Sequence, residues 1–125
     1  VSPVYAGVAK ALKAYTYSVA TDLWGDVPFT EAIQGTTNSQ PKPDRSQDVY
    51  PRLLTLLDEA IADLRKTSPL TAPTSTDDYI YAGNATRWVK FANTLKLRLY
   101  LHMLNVTGHG GRYARHGCRR VAKTD

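Results

Sequence analysis

In three separate stretches of this 125-residue chain, apolar residues recur three or four positions apart. An α-helix turns once every 3.6 residues, so that spacing gathers them on one face of a helix and is incompatible with the two-residue alternation of a strand. In the first stretch Val4, Val8, Leu12, Tyr15, Val19 and Leu23 step by 4, 4, 3, 4 and 4, which predicts a helix of five turns with those residues inward. Gly25, able to adopt the left-handed conformation after a helix end, and Pro28, unable to continue a helix, predict its stop. Residues 34–46 are turn-formers without an apolar period and read as a loop. The second helix then carries Val49, Leu53, Leu56/Leu57, Ala60/Ile61 and Leu64 on one face. Pro51 has no N–H, which places it in the first turn and the cap near Ser46 to Asp48.

A second loop, rich in Thr, Ser and Pro, spans residues 67–83. Asn84 or Thr86 can cap the third helix, whose main stripe is Trp88, Ala92, Leu95, Leu99 and Met103. Val89, Phe91, Leu97, Leu101 and Leu104 widen that stripe past half the circumference. A helix apolar on most sides is normally buried against several neighbours, and this chain offers only two. The expectation is an all-α fold of three main helices with long loops, cut from a longer helical protein. Tyr79-Ile80-Tyr81 is too short to assign as a strand.

Charge excludes one class of partner. The net charge of +5 is uneven: residues 1–106 hold 11 Lys/Arg against 10 Asp/Glu, while residues 107–125 hold five cations against Asp125. The body gives no reason to expect nucleic acid, and the basic tail would bind it only through salt-sensitive generic electrostatics. After Val106 the helical period stops, so two segments are expected: residues 1–106 as the helical domain, and residues 107–125 as a basic, Gly-rich tail that is disordered or not native to it. No apolar run reaches the roughly 18–20 residues of a membrane helix, and no basic-then-apolar signal peptide opens the chain.

Four segments, in order, resemble the SusD/RagB-like family. Asp22-Leu23-Trp24-Gly25-Asp26-Val27-Pro28-Phe29-Thr30-Glu31-Ala32 is similar to its T-D-hydrophobic-aromatic-G-D-V-P-aromatic-x-E-A segment. Asp44-Arg45-Ser46-Gln47-Asp48-Val49-Tyr50 resembles its D-x-Q-x-x-Y helix start, and residues 57–64 its L-D-E-A-x-x-x-L helix. Residues 78–84 and 88–98 resemble its D-x-x-Y-x-G-(D/N) and W-x-K-F-A-N-S-L-x-L-R segments. The resemblance covers residues 4–106. It implies a tetratricopeptide-like helical scaffold of a binding protein, not an enzyme. Such proteins lie on the outer face of the outer membrane in Bacteroidetes-type bacteria. There they capture glycans, or peptides, and deliver them to a SusC-type TonB-dependent transporter. Members are several hundred residues long and carry an N-terminal lipid anchor on an acylated cysteine. Residues 1–125 show no lipoprotein signal, and Cys118 is at the wrong end to be that anchor. A helical-repeat interaction module without a small-molecule ligand is the competing reading.

Candidate chemistry is sparse. Asp22, Asp26 and Glu31 could supply the two carboxylates of a glycosidase, but turn and cap roles suit them better. Asp26 is expected to bond N–H groups of its own turn. Asp22, at a helix C-terminus where the dipole disfavours an anion, is expected to have a Tyr, Lys/Arg or N–H partner. Trp24, Phe29, Tyr79 and Tyr81 lie near loops, where a ring can stack on a sugar, but packing is the commoner fate of such rings. Tyr15 and Trp88, on apolar stripes, read as core. His102, His109, His116 and Cys118 lack any metal-ligand pattern, and Asp77-Asp78 reads as an ordinary polar loop in place of a calcium site. No catalytic residue, metal ligand or cofactor is assigned, and no ligand-binding residue is carried over from the family.

Overall fold

The computed structural model describes residues 2–67 and 73–104. It contains three α-helices, α1 (Pro3–Trp24), α2 (Ser46–Leu64) and α3 (Ala85–Met103), with one 3-10 turn at Gly35–Thr37. Among the described residues the extended pairing is a single antiparallel bridge between Val27 and Asp44. The expected basic tail, residues 107–125, lies outside the described residues.

The helices run alternately up and down. Lys10, near the start of α1, meets Asp63 at the end of α2 at 2.8 Å, and Asp22, near the end of α1, meets Tyr50 at the start of α2 at 2.6 Å. Arg98 and His102 of α3 also reach Asp22, so α3 runs parallel to α1 and antiparallel to α2. Two apolar clusters fill the space between them. The larger holds Val49, Leu53, Leu57, Leu95, Leu99 and Met103, and the smaller holds Val4, Ala11, Ala60, Leu64 and Trp88.

The third helix is as its sequence predicts: Trp88, Ala92, Leu95, Leu99 and Met103 are buried, and the Asn84 side chain caps the helix by accepting the Arg87 N–H at 3.1 Å. Leu97, Leu101 and Leu104 stay outside the packed face. A cation completes the stripe unannounced by the period. Lys96 is 3% exposed, and its ammonium reaches the Asp58 carboxylate of α2 at 2.5 Å. A buried ammonium must be paired to be tolerated, and Asp58 supplies the pair at the helix–helix seam.

The first helix departs from the expected register. Its inward residues are Val4, Gly7, Ala11, Ala14, Ser18 and Thr21, whereas Leu12, Tyr15 and Leu23 of the expected stripe are exposed. Small residues win the inner face because α1 and α2 pack closely: a Cβ at Gly7 would lie 2.7 Å from Leu64 Cγ and 2.9 Å from the Ala60 carbonyl oxygen. Gly7→Ala is therefore expected to destabilise the fold by about 1–3 kcal/mol through overpacking, against the roughly 1 kcal/mol that alanine would gain in an open helix. Urea denaturation followed by circular dichroism would measure the difference, and a stabilised variant would show that the two helices are free to separate.

The end of α1 is as expected in one respect. Gly25 takes φ +77°, a region that favours glycine, and its N–H closes the helix on the Thr21 carbonyl. The start of α2 differs. The helix begins at Ser46, which puts Pro51 in its second turn. Its N-cap is Arg45, one residue before the expected range, because the Asp26 carboxylate accepts the Ser46 N–H at 2.8 Å and Val49 is fully buried.

Candidate ligand-binding surfaces

The carboxylates that might have formed a hydrolytic pair each serve a different part of the scaffold. Asp22 accepts the Tyr50 hydroxyl at 2.6 Å and lies 3.2 Å from both Arg98 and His102, joining all three helices. Burial first, and the Asp22 carboxylate second, push the Tyr50 hydroxyl up to about 12, so it remains a donor in that bond. Asp26 does not order its own turn as expected; its side chain spans 20 residues of sequence to the first turn of α2. Asp44 reaches back, accepting the Thr30 N–H at 2.8 Å, the Phe29 N–H at 2.9 Å and the Thr30 hydroxyl. The Thr30 and Phe29 N–H groups hold the Asp44 carboxyl below the ordinary carboxylate range. Asp26 and Asp44 thus clasp residues 26–30 and 44–46 from opposite sides of the Val27–Asp44 bridge. Glu31 accepts the Asn38 amide at 3.2 Å and the Lys42 N–H at 3.1 Å. The motif Asp22–Ala32 is therefore structural in its carboxylates: it shapes the loop between α1 and α2.

A second carboxylate organises the loop before α3. Asp78 is buried, and each of its oxygens accepts two N–H donors. Oδ1 takes Ile80 and Tyr81 at 3.0 and 3.1 Å. Oδ2 takes Gly83 at 3.0 Å and the Trp88 indole at 2.7 Å. Burial pushes its carboxyl up, but the Trp88 indole and the Tyr81, Gly83 and Ile80 N–H groups outweigh that and hold it below the usual value. Gly83 adopts φ +77°, and a Cβ there would lie 2.1 Å from the Pro73 carbonyl oxygen. Reading Asp77-Asp78 as an ordinary polar loop misses this, because the Asp78 partners come from four later positions and one of them is a side chain.

The aromatic candidates divide. Phe29 packs edge-on against Tyr17 at 4.9 Å, and Tyr81 edge-on against Trp88 at 5.0 Å. Trp24 and Tyr79 are 73% and 92% exposed. Trp88 is core as expected, at 2% exposure; Tyr15 is not, being 43% exposed with its ring 6.1 Å from Phe91 on the outer side of the small-residue seam. Tyr79 borders a shallow, largely apolar groove of about 230 Å³ between α1 and the 73–80 turn. Its lining includes Val8, Leu12 and Trp88, with the Tyr5 hydroxyl donating to Asp77 at 2.8 Å. No motif marks this groove, since Tyr5 on one wall and Asp77 on the other are 72 residues apart. Among the described residues no group of His, Cys, Asp and Glu is placed to hold a metal ion, and His109, His116 and Cys118 lie outside them.

Alternating helices joined by long, internally braced loops, with the loop carboxylates spent on the scaffold, define an all-α, tetratricopeptide-like framework. Residues 1–116 match the profile of the SusD-like family described as starch-binding associating with outer membrane. The chain belongs to the SusD/RagB-like family. A SusD/RagB family protein from Bacteroides thetaiotaomicron is similar at 30% identity and a TM-score of 0.80, over 99% of this chain and 25% of that one. A SusD homologue from Bacteroides uniformis is similar at 30% identity and a TM-score of 0.78, over 95% of this chain and 23% of that one. A chitin-binding SusD homologue from Flavobacterium johnsoniae shares the fold at 24% identity and a TM-score of 0.79, over 95% of this chain and 24% of that one. The chain spans about a quarter of the length of these solved structures. No curated protein sequence matches it.

Proposed function

We propose that this chain forms part of the helical scaffold of a nutrient-capturing protein on the outer face of the outer membrane. That protein binds a glycan, or a peptide as in some members of the family, and delivers it to a SusC-type TonB-dependent transporter. The observation that carries the reading is the family match over residues 1–116. The chitin-binding homologue of the same fold supports a glycan as the ligand class. Capture proceeds by stacking, shape and hydrogen bonds with no bond broken; the separate duties of Asp22, Asp26 and Glu31 support that reading. No helix among the described residues is long and apolar enough to cross a membrane.

Isothermal titration with maltotriose, chitotriose and a neutral tripeptide tests the proposal. The expected result is saturable binding of one oligosaccharide with no release of reducing ends on incubation. Release of reducing ends would identify a hydrolase instead. Leu97 and Leu101 of α3 and Leu104 at its C-cap are 38%, 52% and 48% exposed, an apolar flank that either further helices of a longer chain or the partner of a helical-repeat interaction module would cover. Capture of a protein partner that Leu101→Glu abolishes, together with indifference to every sugar, would establish that module.

A further inference from the structure

The groove between α1 and the 73–80 turn combines three features. Its floor is apolar, built by Val8 and Leu12 from α1 and by the Trp88 ring. At its edge stands Tyr79, 92% exposed, whose ring is open to a ligand in a way that the packed Phe29 and Tyr81 rings are not. At its rim the Tyr5 hydroxyl donates to Asp77 Oδ2 at 2.8 Å. A carboxylate has about four lone-pair positions, so Asp77 can accept further donors from a ligand. Trp24, the other strongly exposed ring, is not part of this groove's lining.

We propose that this groove is a subsite for a single neutral sugar ring, which stacks on Tyr79 and donates hydroxyl hydrogens to Asp77. The proposal rests on the glycan reading above. Its size points to one ring: about 230 Å³ falls below the roughly 300–1,000 Å³ of sites that enclose a drug-sized ligand. The faces of a pyranose present C–H groups to an aromatic ring while its edge carries hydroxyls, matching an apolar floor with a polar rim. Its charge points to a neutral ligand. The Tyr5 and Thr74 hydroxyls hold the Asp77 carboxyl below its ordinary range, so at neutral pH it is an acceptor and an anion. Asp78 lies beside it in the lining. Uronic or sialic acids, bringing a second carboxylate, meet like charge there.

The test is titration of the full chain with maltotriose, chitotriose and trigalacturonate, for the wild type and for Tyr79→Ala, Tyr79→Phe, Asp77→Asn and Trp24→Ala. The site predicts binding of a neutral trisaccharide that Tyr79→Ala weakens about tenfold, as loss of an aromatic contact does. Tyr79→Phe should stay within about twofold, Asp77→Asn should weaken binding, and Trp24→Ala should leave it unchanged. Tyr79 is so exposed that the melting temperature of Tyr79→Ala should match the wild type, which separates a lost contact from a lost fold. Neutral-sugar binding that survives both Tyr79→Ala and Asp77→Asn would overturn the groove while leaving the glycan reading intact. Trigalacturonate bound as tightly as the neutral sugars would overturn the neutral assignment. A wild type that binds none of the three would overturn the glycan reading and the subsite together.

Discussion

Trp88→Ala should lower the unfolding free energy by about 3–5 kcal/mol, the range found when a large buried ring is removed from a core. The ring is 2% exposed and central to the smaller apolar cluster. Tyr81 and Phe91 meet it edge-on at 5.0 and 5.6 Å. Truncation leaves a cavity bounded by three elements, and it also strips Asp78 of its shortest hydrogen bond, at 2.7 Å. Domains are stable by only about 5–15 kcal/mol, so this single change removes a large share of the total. Trp88→Phe separates the two parts, since it keeps most of the ring volume and deletes only the indole N–H. Guanidinium titration of both variants measures them. A midpoint for Trp88→Ala equal to the wild type would mean that the ring is not core.

Asp78→Ala is expected to destabilise by about 3 kcal/mol, because backbone and indole N–H groups ordered around a carboxylate lose a charged acceptor together. Asp78→Asn, although nearly isosteric, should be almost as damaging. Each oxygen receives two N–H donors, so whichever way the amide lies it points an NH₂ at donors. The effect carries a pH signature. The folded carboxyl is held below its ordinary value, so its stabilisation is fully present above the unfolded pKa of about 3.9 and is lost as pH falls through the folded value. Asp63, held low by Lys10 and then Lys66, acts in the same direction. Thermal melts of wild type and Asp78→Asn should therefore converge on acidification below about pH 4. A gap that stays constant down to pH 2 would remove Asp78 from the account. The double variant Trp88→Ala/Asp78→Ala should fall short of the sum of the singles, since the two side chains share one bond.

What the sequence by itself determined is local. Three helices, the Asn84 cap, the stop at Gly25 and the buried stripe of α3 follow from spacing and from residues acting within a turn or two. The family was also legible, because its motifs are short contiguous strings. Tertiary structure decided the rest. Hydropathy ranked Leu12, Tyr15 and Leu23 above Gly7, Ala11 and Ala14 for the inner face of α1, yet the small residues lie inward because their neighbour is a helix backbone at close range. The start of α2 was set by Asp26, 20 residues before Ser46, over the local preference of Pro51, while its buried face is the one its spacing predicts. Tyr5 and Asp77, 72 residues apart, meet only because α1 and α3 run side by side and carry the 73–80 turn back over the start of α1. Periodicity reports which face of an element is apolar; the partner of a carboxylate, the closeness of two backbones and the walls of a groove depend on chain segments that meet only on folding.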